Sequence, residues 1–115
     1  MPALNVDLIF DAAIRIHLTI DRSLTVNFSE NGIKIKFPTT RALAEFLKVP
    51  HYYVLPYFAM MEEDELVKRA ERIGIFTTPK GTRKYLDTLW REYRNQGLSI
   101  LGPEICRDIF EMGSK

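Results

Sequence analysis

The chain has 115 residues, of which 46% are hydrophobic and 27% are charged, and its formal net charge at pH 7 is +1. This length predicts one domain with a real core, and the balanced charge gives no overall field that would attract a polyanion. There is no long apolar run and no basic leader, and the one cysteine, Cys106, cannot form an internal disulfide. We therefore expect a single cytoplasmic domain, residues 1–115, without membrane association.

The first third of the chain alternates apolar and polar residues with the period of two that is typical of a half-buried strand. Three stretches show this alternation: residues 14–20, 24–28 and 33–37. Gly32, which can adopt a positive φ, lies in the turn between the last two, and Pro38 ends the third. We predict an antiparallel β-meander over residues 12–37. Residues 4–11 fit either an extension of the meander or a short helix.

From residue 39 onward the apolar period is that of a helix. Thr39 or Thr40 can cap the first helix. Pro50 ends it, because proline disfavours helical conformation in the preceding residue yet suits the first turn of a new helix. The second helix then has three inward apolar residues: Val54, Phe58 and Met61. We predict two helices joined by a turn over residues 39–63.

Residues 66–73 fit two different structures. As a helix, they would place acidic residues at the start and Arg72 near the end, with Gly74 as the stop. As a strand, they would begin a hairpin over residues 65–78. We favour the hairpin, because the segment has a suitable length and is followed by Thr78 and Pro79, which can start a helix.

Helices are also predicted at the carboxyl end, over residues 79–112. The first carries an apolar stripe and is expected to run to Gln96, with Gly97 as its stop. After a link at residues 98–101, Pro103 opens the last helix, whose apolar side includes Ile105. These stripes offer more apolar surface than one small sheet needs, so we expect a homodimer through the C-terminal helices.

Part of the chain resembles the winged helix-turn-helix DNA-binding superfamily. Residues 43–50 (LAEFLKVP) are similar to the first helix and turn of a helix-turn-helix. Residues 65–69 (ELVKR) resemble the strand that follows in winged-helix proteins, and residues 75–81 (IFTTPKG) resemble the passage that closes the wing in small transcriptional regulators. The resemblance covers residues 40–86. It implies an α+β fold, with residues 33–37 as a strand beside the wing.

The resemblance implies double-stranded DNA as the partner, and the charge distribution agrees with it. Residues 66–94 contain eight Lys or Arg residues and three carboxylates. Cations on the wing and the following helix would contact phosphates, which position a protein without specifying sequence. Candidate nucleic-acid-binding residues are Arg41, His51, Tyr52, Tyr53, Lys68, Arg69, Arg72, Lys80, Arg83 and Lys84.

The composition of the second helix favours a different partner. A helix that reads base edges usually presents polar and cationic side chains, but no Lys or Arg lies between Val49 and Val67. An apolar, aromatic outer face suits a protein surface better. The alternative hypothesis is therefore a protein-interaction module that docks through Tyr52, Leu55, Pro56, Tyr57 and Ala59. Tyr53 fits either a buried or an exposed position.

The sequence gives little support for catalysis. It has no glycine-rich phosphate loop, no nucleophile elbow, and no His or Cys pair at metal-ligand spacing. The acidic run at residues 62–65 is interpreted as a solvated helix end, Cys106 as a small buried side chain, and His17 as a surface residue on its strand. We expect no enzymatic activity, no metal site and no cofactor.

Overall fold

A computed structural model of the chain describes residues 4–30 and 32–113. Within these residues the elements are α1 (Val6–Arg15), β1 (Val26–Ser29), β2 (Gly32–Ile35), α2 (Thr40–Leu47), α3 (His51–Glu63), β3 (Val67–Ala70), β4 (Gly74–Thr77), α4 (Pro79–Glu92), α5 (Arg94–Leu101) and α6 (Pro103–Gly113). A π-helical segment, Ile16–Asp21, continues α1. The fold is α+β, as predicted. None of the helices in the described part of the chain is long and apolar enough to cross a membrane.

The prediction of a strand at residues 14–20 is wrong, and so is the three-stranded meander. Asn5 caps α1 by accepting a hydrogen bond from the Leu8 N–H at 2.8 Å, and helical structure continues to Asp21. α1 packs against α2, α3 and α4, so Ile14, Ile16, His17 and Leu18 are buried, whereas Arg15, Thr19 and Ile20 are exposed. A helix covered on several sides has no continuous polar face. Its short apolar run therefore imitates the alternation of a strand.

The strands form two antiparallel hairpins that meet at their edges. Val26 lies opposite Ile35 in the first hairpin, and Val67 lies opposite Thr77 in the second. The second confirms the predicted hairpin at residues 65–78 over the alternative helix. Lys36 and Phe76 then pair across the gap, so β2 lies beside β4. Gly32 has a φ of 120°, which confirms the predicted turn.

The two helices predicted over residues 39–63 are confirmed. Thr39 caps α2 by accepting from the Ala42 N–H at 3.0 Å, and Lys48 ends it in a left-handed conformation with a φ of 58°. α3 continues through Pro56 to Glu63. Its predicted inner residues are fully buried: Val54, Phe58 and Met61.

The C-terminal region contains three helices where two were predicted. α4 ends at Glu92 rather than Gln96, and Tyr93 leaves the helix to donate a hydrogen bond to the Asp11 carboxylate. Gly97, the predicted stop, and the predicted link at residues 98–101 both lie inside α5. Gly97 is buried inside α5 instead: its carbonyl accepts from Cys106 Sγ, and a Cβ there would meet Leu89 at 3.4 Å, an ordinary contact distance. α6 begins at Pro103, as predicted.

The core lies between the helices and the inner face of the strands. Phe37 is at its centre, with edge-to-face contacts to Phe10 at 5.1 Å and to Phe58 at 5.9 Å. Cys106 is buried, as predicted, and burial raises the pKa of its thiol.

His17 is not the surface residue that the strand assignment predicted. Its side chain is only 6% exposed, and its Nδ1 lies 2.5 Å from the Tyr85 hydroxyl. Burial lowers the pKa of His17 to about 4, although the nearby Asp21 charge acts in the opposite direction. Burial also raises the pKa of Tyr85 far above its usual value. Both side chains are therefore neutral at neutral pH.

Candidate nucleic-acid interface

The amino-terminal ends of α2 and α3 lie side by side at the surface. His51 Nε2 is 2.7 Å from Thr40 Oγ1, and this hydrogen bond joins the two helix starts. Arg41 follows Thr40 and is exposed. Tyr52 and Tyr53 are 64% and 50% exposed, with their rings edge to face at 4.9 Å. The structure therefore brings together four of the predicted nucleic-acid-binding residues: Arg41, His51, Tyr52 and Tyr53. Of the two positions that the sequence allows for Tyr53, the structure shows the exposed one.

The rest of the outer face of α3 is apolar. Leu55, Pro56 and Ala59 are exposed, and Met60 extends this surface. Tyr57 is half-buried against the core, so it contributes less to the face than the alternative hypothesis expected. A continuous apolar helix face is more typical of protein contacts than of a DNA groove.

Cations of the second hairpin lie at the other end of α3. Lys68 and Arg69 are exposed on β3, and Arg72 occupies the turn with a φ of 66°. Arg69 Nε is 2.7 Å from Glu62 Oε1, so part of its charge is already neutralised. Because α3 has 13 residues, it separates these cations from Arg41 by about 18 Å along its axis.

The outer face of the joined strands carries three lysines: Lys34, Lys36 and Lys68. The pairing register places Phe76 between Lys68 and Lys36 in one row, and Lys34 Nζ lies 4.9 Å from the Phe76 ring centroid. Phe76 is only 4% exposed on this outer face, because the lysine stems cover it while their ammonium groups stay in water. Among the described residues, none of the three forms an ion pair.

Lys34 and Lys36 were absent from the predicted site. Their alternation with Ile33, Ile35 and Phe37 already places both on one face of a strand. What the sequence does not show is that β2 pairs with β4, which adds Lys68 to the same face.

The three cations predicted on the helix after the hairpin do not act as one group. Lys80 Nζ donates to the Asp64 carbonyl at 3.0 Å, and Arg83 is exposed. Lys84 Nζ is 2.5 Å from Asp7 Oδ1 and lies over the Phe10 ring. Lys84 is thereby tied to α1 rather than to the hairpin.

The acidic run at residues 62–65 lies between the outer face of α3 and the hairpin. Glu63, Asp64 and Glu65 are exposed, while Glu62 contacts Arg69. These carboxylates repel a phosphate backbone at this position. This part of the surface is therefore unfavourable for a polyanion.

Nowhere in residues 4–30 and 32–113 do three His, Cys, Asp or Glu side chains come together as a metal site. Comparisons with protein families, with curated proteins and with solved structures found no match to this chain.

Proposed function

We propose that the chain is a winged helix-turn-helix protein that binds double-stranded DNA and acts as a transcriptional regulator. The observation that carries this proposal is the order β2, α2, α3, β3, β4 after the amino-terminal helix and β1, in which β2 lies beside β4. In this assignment α2 and α3 are the helix-turn-helix, and the β3–β4 hairpin is the wing. The second helix of such a pair normally enters the major groove.

In the proposed complex, cations at both ends of α3 contact the DNA backbone. Lys34, Lys36 and Lys68 contact phosphates from the strand side, and Arg72 contacts them from the turn of the hairpin. Lys80 and Arg83 contact them from the start of α4, and Arg41 from the start of α2. These contacts position the protein and supply affinity that depends on salt. His51 and Tyr52, at the exposed start of α3, supply the base contacts.

The direct test is a gel-shift titration of the full chain against mixed-sequence duplex DNA at two salt concentrations. We expect a complex at low salt that weakens steeply as salt rises, because phosphate contacts release counterions. No complex at low salt would contradict DNA binding.

Two sets of variants then separate the residues that position the protein on DNA from those that recognise its base sequence. Lys80→Ala with Arg83→Ala should weaken binding to every sequence alike and reduce its salt dependence. Tyr52→Ala should instead reduce discrimination between good and poor sites, by about 1–3 kcal/mol for a lost base contact. The matched control is Arg91→Ala with Arg107→Ala, which removes two exposed cations from the C-terminal helices. Circular dichroism should show an intact fold in each.

The second candidate function is a protein-interaction module with the same fold. It is favoured by the exposed Tyr52, Leu55 and Met60 on a helix without Lys or Arg. Aromatic anchors dominate interface energy, so Tyr52→Ala with Leu55→Ala would abolish partner binding. The Lys80/Arg83 variant would retain it. DNA binding with the salt dependence described above would exclude this candidate as the main function of α3.

A further inference from the structure

A groove of about 520 Å³ separates the π-helical segment from α2. Ile16 and Ile20 line one wall, Ala42 and Phe46 line the other, and Phe37 contributes from the strand side. Small-molecule sites in proteins usually measure roughly 300–1,000 Å³ and combine apolar walls with a few polar groups. The volume of this groove lies in that range, and its lining is about half polar, with Ser23, Thr25 and Thr39 beside the charged residues. None of its lining residues belongs to α3.

His17 presents an unpartnered ring nitrogen to this groove. Within the described parts of the chain, every fully buried side-chain nitrogen or oxygen has a hydrogen-bond partner. His17 Nδ1 meets the Tyr85 hydroxyl, while nothing in the same residues bonds to Nε2. Nε2 is therefore not fully buried and contacts solvent. His17 is only 6% exposed and lines the groove, so the groove is where Nε2 reaches solvent.

The Tyr85 contact determines which nitrogen of His17 carries the hydrogen. Tyr85 is buried, keeps its proton, and has His17 Nδ1 as its hydroxyl partner. If Nδ1 carried the hydrogen, the Tyr85 O–H would be buried without an acceptor, which destabilises the folded state. Tyr85 therefore donates to Nδ1. Nε2 carries the hydrogen and acts as a donor toward the groove.

Charged groups at the rim restrict which ligand can use that donor. Asp21 and Glu45 line the groove and form no ion pair within the described residues. Lys36 also lines the groove, but the end of its side chain lies against Gly74. A Cβ built on Gly74 would be 3.0 Å from Lys36 Cε. Its ammonium group is therefore drawn toward the hairpin. An anion would be repelled by the two carboxylates, and a cation could not accept from Nε2–H.

We propose that this groove binds a neutral, nucleobase-sized heterocycle or amide in which an acceptor lies beside an N–H donor. The ring nitrogen or carbonyl oxygen accepts from His17 Nε2–H, and the amino or amide N–H donates to the Asp21 carboxylate. The flat body packs between Ile20 and Phe46. His17 and Asp21 are four residues apart in the π-helical segment, a rare geometry that is often found at functional sites. This proposal does not depend on DNA binding.

The test is an NMR titration of the ¹⁵N-labelled full chain with adenine, cytosine and nicotinamide, each at low-millimolar concentration. Orotate, which is anionic, is the control for charge. We expect at least one neutral probe to shift the His17 imidazole Nε2–H signal together with the backbone amides of Ile20 and Phe46. Orotate should leave these signals unchanged.

Asp21→Asn tests the second contact without altering a buried residue, and Asp87→Asn, on the exposed side of α4, is its matched control. Asp21→Asn should weaken the active probe about tenfold, as expected for one charge-assisted hydrogen bond, and Asp87→Asn should not. The proposal is overturned by shifts with none of the three probes, by shifts outside the groove, or by equal binding of orotate. It is also overturned by equal affinity in the Asp21 variant, or by a His17 spectrum with the hydrogen on Nδ1.

Discussion

His17 is a buried base that the fold keeps uncharged. Its pKa is about 4 in the folded protein, against 6.5 for an ordinary histidine. Between these values the unfolded chain binds more protons than the folded one, so protonation favours unfolding. The stability contributed by the neutral side chain is complete above about pH 6.5 and is lost as the pH falls toward about 4.

We predict that this effect is measurable by urea unfolding. His17 alone should lower the free energy of unfolding by about 2 kcal/mol between about pH 7.5 and about pH 5. His17→Gln should reduce the pH dependence by this amount, because glutamine cannot be protonated. His51→Gln makes the same substitution at an exposed histidine and should leave most of the pH dependence of stability in place. Identical pH profiles for the wild type and His17→Gln would contradict the buried neutral state.

Gly81 is a second single residue on which packing depends. A Cβ at this position would lie 1.8 Å from the Leu66 carbonyl oxygen, and that oxygen accepts from the Thr78 N–H at 3.1 Å. A Cβ is fixed to the backbone of residue 81, and the oxygen belongs to the backbone of Leu66, so no side-chain rotation can relieve this contact. The start of α4 can approach the start of the hairpin only through glycine.

We predict that Gly81→Ala destabilises the protein by roughly 3 kcal/mol, the upper part of the range for overpacking. Gly97→Ala is the matched control, since a Cβ there meets Leu89 only at ordinary contact distance. It should be neutral or stabilising by up to about 1 kcal/mol, because alanine favours a helix over glycine. The measurement is the midpoint of chemical denaturation. Equal stability of the two variants would show that α4 can move away from Leu66.

At the scale of elements, the joining of two hairpins creates the lysine face. Neither hairpin alone gathers Lys34, Lys36 and Lys68, since Phe76 of β4 pairs with Lys68 on one side and Lys36 on the other. Clustered cations without carboxylate partners attract a polyanion more than the net charge of +1 suggests.

If DNA is the partner, Lys34→Gln with Lys36→Gln should flatten the salt dependence of binding. Each phosphate contact contributes about 0.9 to the slope of log affinity against log salt, so the slope should fall by roughly two units. Glutamine keeps part of the stem that covers Phe76. Arg91→Gln with Arg107→Gln removes the same charge from the C-terminal helices and should not change the slope. If the complex forms and the lysine variant keeps the full slope, the DNA contacts lie elsewhere.

At the scale of the whole molecule, the C-terminal helices leave aromatic and aliphatic side chains at the surface. Trp90 and Ile105 are exposed. The Trp90 ring contacts Phe110 edge to face at 4.9 Å, and the Arg94 guanidinium lies 4.3 Å from its centroid. Covering such side chains in a second copy would bury apolar area and stabilise a dimer.

We predict a homodimer through these helices in sedimentation equilibrium at high micromolar concentration. Trp90→Ala with Ile105→Ala should shift the equilibrium toward monomer, because it removes the largest exposed apolar groups of that surface. Ile73→Ala, in the turn of the second hairpin, is the control and should leave the dimer intact. A monomeric wild-type chain at this concentration would rule the dimer out.

The sequence by itself determined the elements whose signals are local. Thr39 and Thr78 cap helices through hydrogen bonds to N–H groups three residues away, and Pro50 and Pro103 mark helix starts through their own φ. The hairpin at residues 65–78 also followed from its length and flanking residues. In each case the stabilising contact lies within a few residues of the signal, so the pattern contains its own cause.

The tertiary structure decided the features whose partners are distant in the chain. Residues 14–20 are helical, and His17 is buried with its hydrogen-bond partner Tyr85, which lies 68 positions away in the chain. α4 ends where Tyr93 reaches Asp11, 82 positions earlier. The lysine face and the groove likewise require β2 beside β4 and α2 beside the π-helical segment. A local pattern reports which side chains avoid water, but only the packed fold determines which surfaces cover them.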